Sequence, residues 1–393
     1  MVSSLPASSS EVPEPSVRQA SELRSARVES LRAIAALAVM EGHIFGASLE
    51  YGPRSYNSWW HRSLLGGGFG VFLFFTLSGY LLYLPFARRS FGAGRPVELG
   101  RYAWNRALRI LPLYYVVAVT YLAVYRAPAR HWLVFLLFLE NFSRGTVAQV
   151  DGPMWSLVVE LTFYLFLPLL AAGLAWASRR SLPAAFGWVG VLGLGAGVYR
   201  WVAFLHPAHP GALVQYNFPA TFYFFVPGLL LALLKVALER RGDQRPLSGP
   251  WGRPWLWLLT SAAGWAVVFD HYSWDLILGP ASFLLLGSCV LPLRPSVVVR
   301  ALGWRPLAGL GTASYSLYLW HLPIVYELSH HRLGGYVGQL IIAGSTCVVV
   351  ALVSYRLVEL PFLRFRTRWG ETAARDEGGP RPLSSRAFRR SRL

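Results

Sequence analysis

Two side chains that could do chemistry stand eleven positions apart in one apolar run, Arg32 and His43. At ~100° per residue, eleven helical steps make roughly three turns plus ~20°, so both lie on one helix face, roughly 16 Å apart along the axis. Charged or titratable groups in such a run rarely face lipid and mark a polar interior site. An imidazole, with an ordinary pKa of about 6.5, can take a proton from a hydroxyl near neutral pH. It can equally serve as an interhelical hydrogen-bonding group, with Arg32 marking the end of the span, and the pair alone leaves both readings open. Glu41 cannot orient His43, because two positions along a helix point elsewhere. An orienting group must come from another helix, and Glu160 and His321 are the candidates.

Further motifs recur along the chain. Arg106 and Arg109 are three apart and share a helix face, where two guanidiniums can grip phosphate oxygens with paired hydrogen bonds. The same spacing also suits plain flanking charge at a membrane boundary. Ser156, Glu160 and Tyr164 repeat every four positions, a polar stripe that follows Trp155 and a Gly152-Pro153 turn. A carboxylate there needs an arginine or a polar substrate as partner. Ser78 sits in Phe74-Phe75-x-x-Ser78-Gly79-Tyr80, where its hydroxyl can bond back to its own helix and Gly79 permits close packing. Ser314, Tyr318 and His321 align at helical spacing. Glu359, near the end of the last apolar run, can carry chemistry or anchor an arginine. No zinc-binding pattern is present, and Cys289 and Cys347 lie in apolar runs as packing residues.

The elements that must position these residues are membrane helices. The 393 residues are 54% hydrophobic and only 14% charged, against about 25% charged in a soluble domain. Many apolar runs approach the ~20 residues of a span. The formal net charge of +18 comes from arginines clustered between these runs, as membrane topology requires, and basic patches interleaved with aromatics of the nucleic-acid-binding kind are absent. The expected fold is all-α, a polytopic helical bundle of about ten transmembrane helices. The run 131–142 is too short to cross and is expected to be re-entrant or interfacial. Arginine distribution puts both termini in the cytoplasm. Residues 1–27 and 366–393 read as disordered tails, the second basic and attracted to anionic lipid, around a membrane domain at 28–365.

Taken in order, the motifs resemble the acyltransferase-3 family of integral membrane acyltransferases: Arg32 with His43, the 74–80 run, Arg106-x-x-Arg109-Ile110-x-Pro112, Trp155-Ser156-Leu157-x-x-Glu160-x-x-Phe163-Tyr164, the 314–323 run and Glu359-x-Pro361. The resemblance implies transfer of an acyl group, acetyl foremost, from acyl-CoA to a hydroxyl. Acceptors in such families are surface glycans, glycolipids or macrolide-type natural products, the last in antibiotic tailoring. It makes Arg32 and His43 the signature pair, with Glu160 and Glu359 beside them as catalytic candidates. Arg106 and Arg109 become donor-binding residues, and Ser78, Trp155, Ser156, Tyr318 and His321 substrate-binding candidates. Acyl-CoA is then a substrate, with no permanently bound cofactor and no metal, and the enzyme sits in the plasma membrane. Many relatives add an SGNH-type esterase domain; this chain reads as the single-domain type. A covalent acyl intermediate on histidine, Ser78 or Ser156 is a variant. A secondary transporter using Arg32, His43 and Glu160, or an acyl translocator feeding a separate transferase, is the alternative.

Overall fold

The computed structural model describes residues 17–49, 58–143, 145–146, 152–205, 212–242, 247–331 and 333–365. The tails at 1–16 and 366–393, and Asp151, His206 and His209, lie outside them. Among the described residues there are helices and turns and no strand. The principal helices are α1 (Val17–Leu49), α2 (Gly70–Phe91), α3 (Leu99–Val124), α4 (Trp155–Ala177), α5 (Leu182–Leu205), α6 (Val226–Arg240), α7 (Pro254–Asp270), α8 (Leu278–Val290), α9 (Ser314–Ser329) and α10 (Gly335–Ser354). A helix satisfies its own backbone, which is why apolar runs of this length take that form in lipid. Leu165 and Leu169 on α4 are each 71% exposed, as suits a helix face that meets hydrocarbon. This is an all-α polytopic membrane protein.

Among the described residues, seven helical stretches are long and apolar enough to cross a membrane. The three principal helices outside that set are α6, α7 and α9, with 15, 17 and 16 residues. Two of them continue a shorter piece across a break: Phe218–Phe222 precedes α6, and Arg305–Thr312 precedes α9. The apolar runs at 218–240 and 305–329 are thus broken helices. Such breaks are tolerated at membrane depth where protein surrounds them. The short element expected near 131–142 is the eight-residue helix Ala129–Leu136 followed by a turn of 3-10 helix.

α1 packs against α2, α9, α10 and the Arg305–Thr312 helix. It reaches back to Val17, into the segment that composition assigns to a tail. α2 lies closely on α6: a Cβ on Gly79 would stand 2.4 Å from Phe225 O, and one on Gly228 would stand 2.1 Å from Thr76 O. Only glycine fits at this crossing, and dispersion between close backbones is what holds helices together in lipid. Thr76 Oγ1 adds a hydrogen bond to Phe224 O at 2.8 Å. α10 ends in a π-helical turn, Tyr355–Glu359. A π-turn rotates the residues that follow, a device common near functional groups; here it carries the Glu359 carboxylate inward.

Candidate active site

His43 points into the protein. Its Nδ1 lies 2.9 Å from Val39 O, one turn back on α1, and 3.1 Å from Nε2 of His321 on α9. His321 is fully buried, and its own Nδ1 lies 2.7 Å from Tyr318 O. A carbonyl oxygen can only accept, so both Nδ1 atoms carry the proton. His321 Nε2 is then a lone pair, and the His43 Nδ1–H donates to it as well as to Val39 O. The chain of bonds runs His43 to His321 to Tyr318 O and leaves His43 Nε2 unprotonated. Of the two orienting candidates, His321 occupies that place; Glu160 is engaged elsewhere.

Glu160 Oε1 accepts from Ser78 Oγ at 2.6 Å and from the Tyr164 hydroxyl. Ser78 therefore bonds across to α4 rather than to its own helix. Ser156 Oγ meets the Tyr318 hydroxyl at 2.8 Å and donates to Pro153 O at 2.9 Å, tying α4 to α9. Trp155 stands behind this layer, stacked on Tyr216 with ring centroids 4.3 Å apart, and does not line the cavity described next.

A cavity of about 80 Å³ is lined by Arg32, Arg106, Arg109, Ser78, Glu160 and Tyr318, with further residues of α2, α4 and α9. Arg109 Nη1 is bonded to Glu359 Oε2 at 3.0 Å. The other oxygen of Glu359 accepts from Ser316 Oγ at 2.5 Å and from Ser316 N at 3.1 Å. Glu359 is thus the partner of an arginine. Arg106 lies over the Tyr164 ring at 5.8 Å. The Nε atoms of Arg32 and Arg106 are buried without a hydrogen-bond partner among the described residues. Arg32 Nε stands 3.8 Å from Glu29 Oε2, beyond hydrogen-bond length. The Ser314 hydroxyl, on the same wall, is likewise buried and unpartnered.

The cavity stops short of His43. Phe74 and Tyr318 line its end, with rings 5.8 Å apart, and the Tyr318 ring lies 5.8 Å from that of His321. The Phe74–Tyr318 aromatic layer is thus the part of the lining that adjoins the imidazole pair.

Two residues escape a reading of spacing, Ser316 and Arg200. Ser316 lies within a motif but acts through Glu359, on another helix. Arg200, inside the α5 run, forms a buried ion pair with Asp275 through Nε at 2.9 Å and donates to Ala220 O at 3.3 Å. An arginine in an apolar run was its available signal; its saturated bonding makes it a structural brace.

An all-helical membrane bundle with a polar cavity among its spans defines the class, an integral membrane protein. Residues 25–356 match the acyltransferase domain of the acyltransferase-3 family, and the chain belongs to that family. It is 24% identical over 370 residues to peptidoglycan O-acetyltransferase OatA of Listeria monocytogenes, covering 85% of this chain and 55% of that protein. It is 26% identical over 371 residues to putative peptidoglycan O-acetyltransferase YrhL of Bacillus subtilis, covering 85% of this chain and 54% of that one. Nodulation protein 10 of Rhizobium leguminosarum bv. viciae is 27% identical over 374 residues, covering 86% of this chain and 93% of that protein. The chain thus spans about half the length of the first two relatives. No solved structure matches it.

Proposed function

We propose that this chain moves an acetyl group from acetyl-CoA to a hydroxyl of a sugar-containing acceptor, with His43 as general base. The observation that carries the reading is the fixed tautomer of His43, whose Nε2 is left free to accept a proton. The names of the relatives, two of them peptidoglycan O-acetyltransferases, support a glycan hydroxyl as acceptor. A glycolipid or a macrolide-type product offers the same group.

The donor's phosphates sit at the arginine-rich end of the cavity, which in this reading faces the cytoplasm, as do both termini. Arg106 and Arg32 supply donors not yet used, and Arg109 is held in place by Glu359. The pantetheine arm runs up the cavity between the hydroxyls of Ser78, Ser156 and Tyr318, and the Phe74–Tyr318 layer shifts to admit the thioester. His43 Nε2 removes the acceptor's proton as its oxygen attacks the thioester carbon. The tetrahedral intermediate collapses, the carbon–sulfur bond breaks, and the departing thiolate takes the proton from imidazolium. His321 stabilises that imidazolium by accepting from Nδ1–H. Glu160, fixed by Ser78 and Tyr164, balances the guanidinium charge.

The test is transfer of labelled acetyl from acetyl-CoA to a glycan acceptor by the purified chain. Transfer should need the acceptor and His43; consumption of acetyl-CoA with no acceptor product would contradict the reading.

A further inference from the structure

A second cavity of about 220 Å³ adjoins the first and shares Leu81, Leu82 and Arg106 with it. The first two turns of α3 form one wall, presenting Arg101, Tyr102, Asn105 and Arg106, with Glu98 just before the helix and Phe86 across from it on α2. Asn105 Oδ1 is buried with no hydrogen-bond partner among the described residues, and so is Arg106 Nε. The Tyr102 hydroxyl is spent on Tyr164 O at 3.0 Å, which fixes its ring as an aromatic wall, edge-on to Phe86 at 5.5 Å.

These groups have no use for one another. An unmet amide oxygen needs a donor, and an amide side chain matches the N6 and N7 edge of adenine, offering one acceptor and one donor. An aromatic wall suits a planar base. Arg101 and Arg106, near the positive end of the α3 dipole, suit phosphate. Glu98 can accept from a ribose hydroxyl, as carboxylates do in other nucleotide sites.

We infer that this second cavity binds the 3′-phosphoadenosine end of the acyl-CoA donor, with Asn105 reading the adenine edge and Arg101 holding phosphate. The inference rests on the proposed acyl-CoA reading and adds a nucleotide subsite to it. The pantetheine arm then passes Arg106 into the narrower cavity. A phospholipid headgroup offers phosphate too, but not a planar base.

The experiment measures binding of acetyl-CoA and of S-acetyl-4′-phosphopantetheine, which lacks the 3′-phosphoadenosine, to the full chain purified in detergent. Asn105→Leu and Arg101→Ala should each weaken acetyl-CoA about tenfold and leave acetyl-phosphopantetheine unchanged, which also shows the variants are folded. Adenosine 3′,5′-bisphosphate should compete with acetyl-CoA on the unaltered chain. Equal weakening of both donors, no weakening of either, or no competition by the bisphosphate overturns the subsite while leaving the donor reading intact. Failure of the unaltered chain to bind either donor overturns both.

Discussion

In the proposed mechanism His321 is a positioning residue, held against His43, the proposed base. His43→Ala should cut transfer by about 10² to 10⁴ with donor affinity unchanged. His321→Ala leaves Val39 O as the one partner of His43 Nδ1 and removes the acceptor that steadies the imidazolium. Loss of a hydrogen bond to a charged group, about 1.5–3 kcal/mol, predicts a fall in kcat of about ten- to a hundredfold with KM for the donor unchanged. A purely structural role for His321 would instead lower the yield of folded protein and leave kcat per folded molecule alone. Glu140 offers a separate test outside the spans. Burial pushes its carboxyl up to about 8, and its Oε2 has no hydrogen-bond partner among the described residues. The folded state keeps the proton while the unfolded chain, with an ordinary glutamate, releases it, so this group costs stability as pH rises from about 4.5 to about 8. Glu140→Gln should therefore raise Tm more at pH 8 than at pH 5 in matched detergent scans.

At the scale of elements, one ion pair and one glycine crossing fix the cavity. Glu359 joins the π-turn after α10 to Arg109 on α3 and to the start of α9. Removing one partner strands a buried charge, so Glu359→Ala should destabilise the protein by about 3 kcal/mol. Replacing both, Arg109→Met with Glu359→Leu, should recover most of the stability, while donor affinity stays low. Recovery of binding along with stability would show that Arg109 does not meet the donor. Gly228→Leu should abolish folded protein, because its side chain would enter the backbone of α2. Helical spacing was enough to place Ser156, Glu160 and Tyr164 on one face, and Arg106 with Arg109 on another. It could not pair them. The bonds that define the site link positions 82, 250 and 278 apart, Ser78 with Glu160, Arg109 with Glu359, and His43 with His321. Local periodicity carries no information about which helix packs on which. The aromatic layer of Phe74 and Tyr318 was hidden for the same reason.

Across the whole molecule, the all-helical membrane fold was legible from apolar runs and arginine clusters, since lipid constrains both. The number of crossings was less so, because hydropathy cannot see the breaks before α6 and α9. Their side chains stay apolar where the backbone interrupts its own ladder. Ten crossings put both termini on one side, and seven put them on opposite sides. Reporters fused to each terminus should both be inaccessible from outside intact cells; a C-terminal reporter accessible from outside would remove the ten-span topology. Arg200 and Asp275 brace the bundle far in sequence from the reacting groups. Asp275→Asn should lower Tm while the surviving folded protein keeps its KM and kcat.

The most direct measurement follows labelled acetyl from acetyl-CoA to a sugar hydroxyl in a reaction that holds the purified chain, donor, acceptor and no other protein. The unaltered chain should release free CoA and acetylated acceptor in equal amounts, and His43→Ala should do neither above background. Undiminished transfer by His43→Ala would contradict a mechanism in which this imidazole accepts the proton.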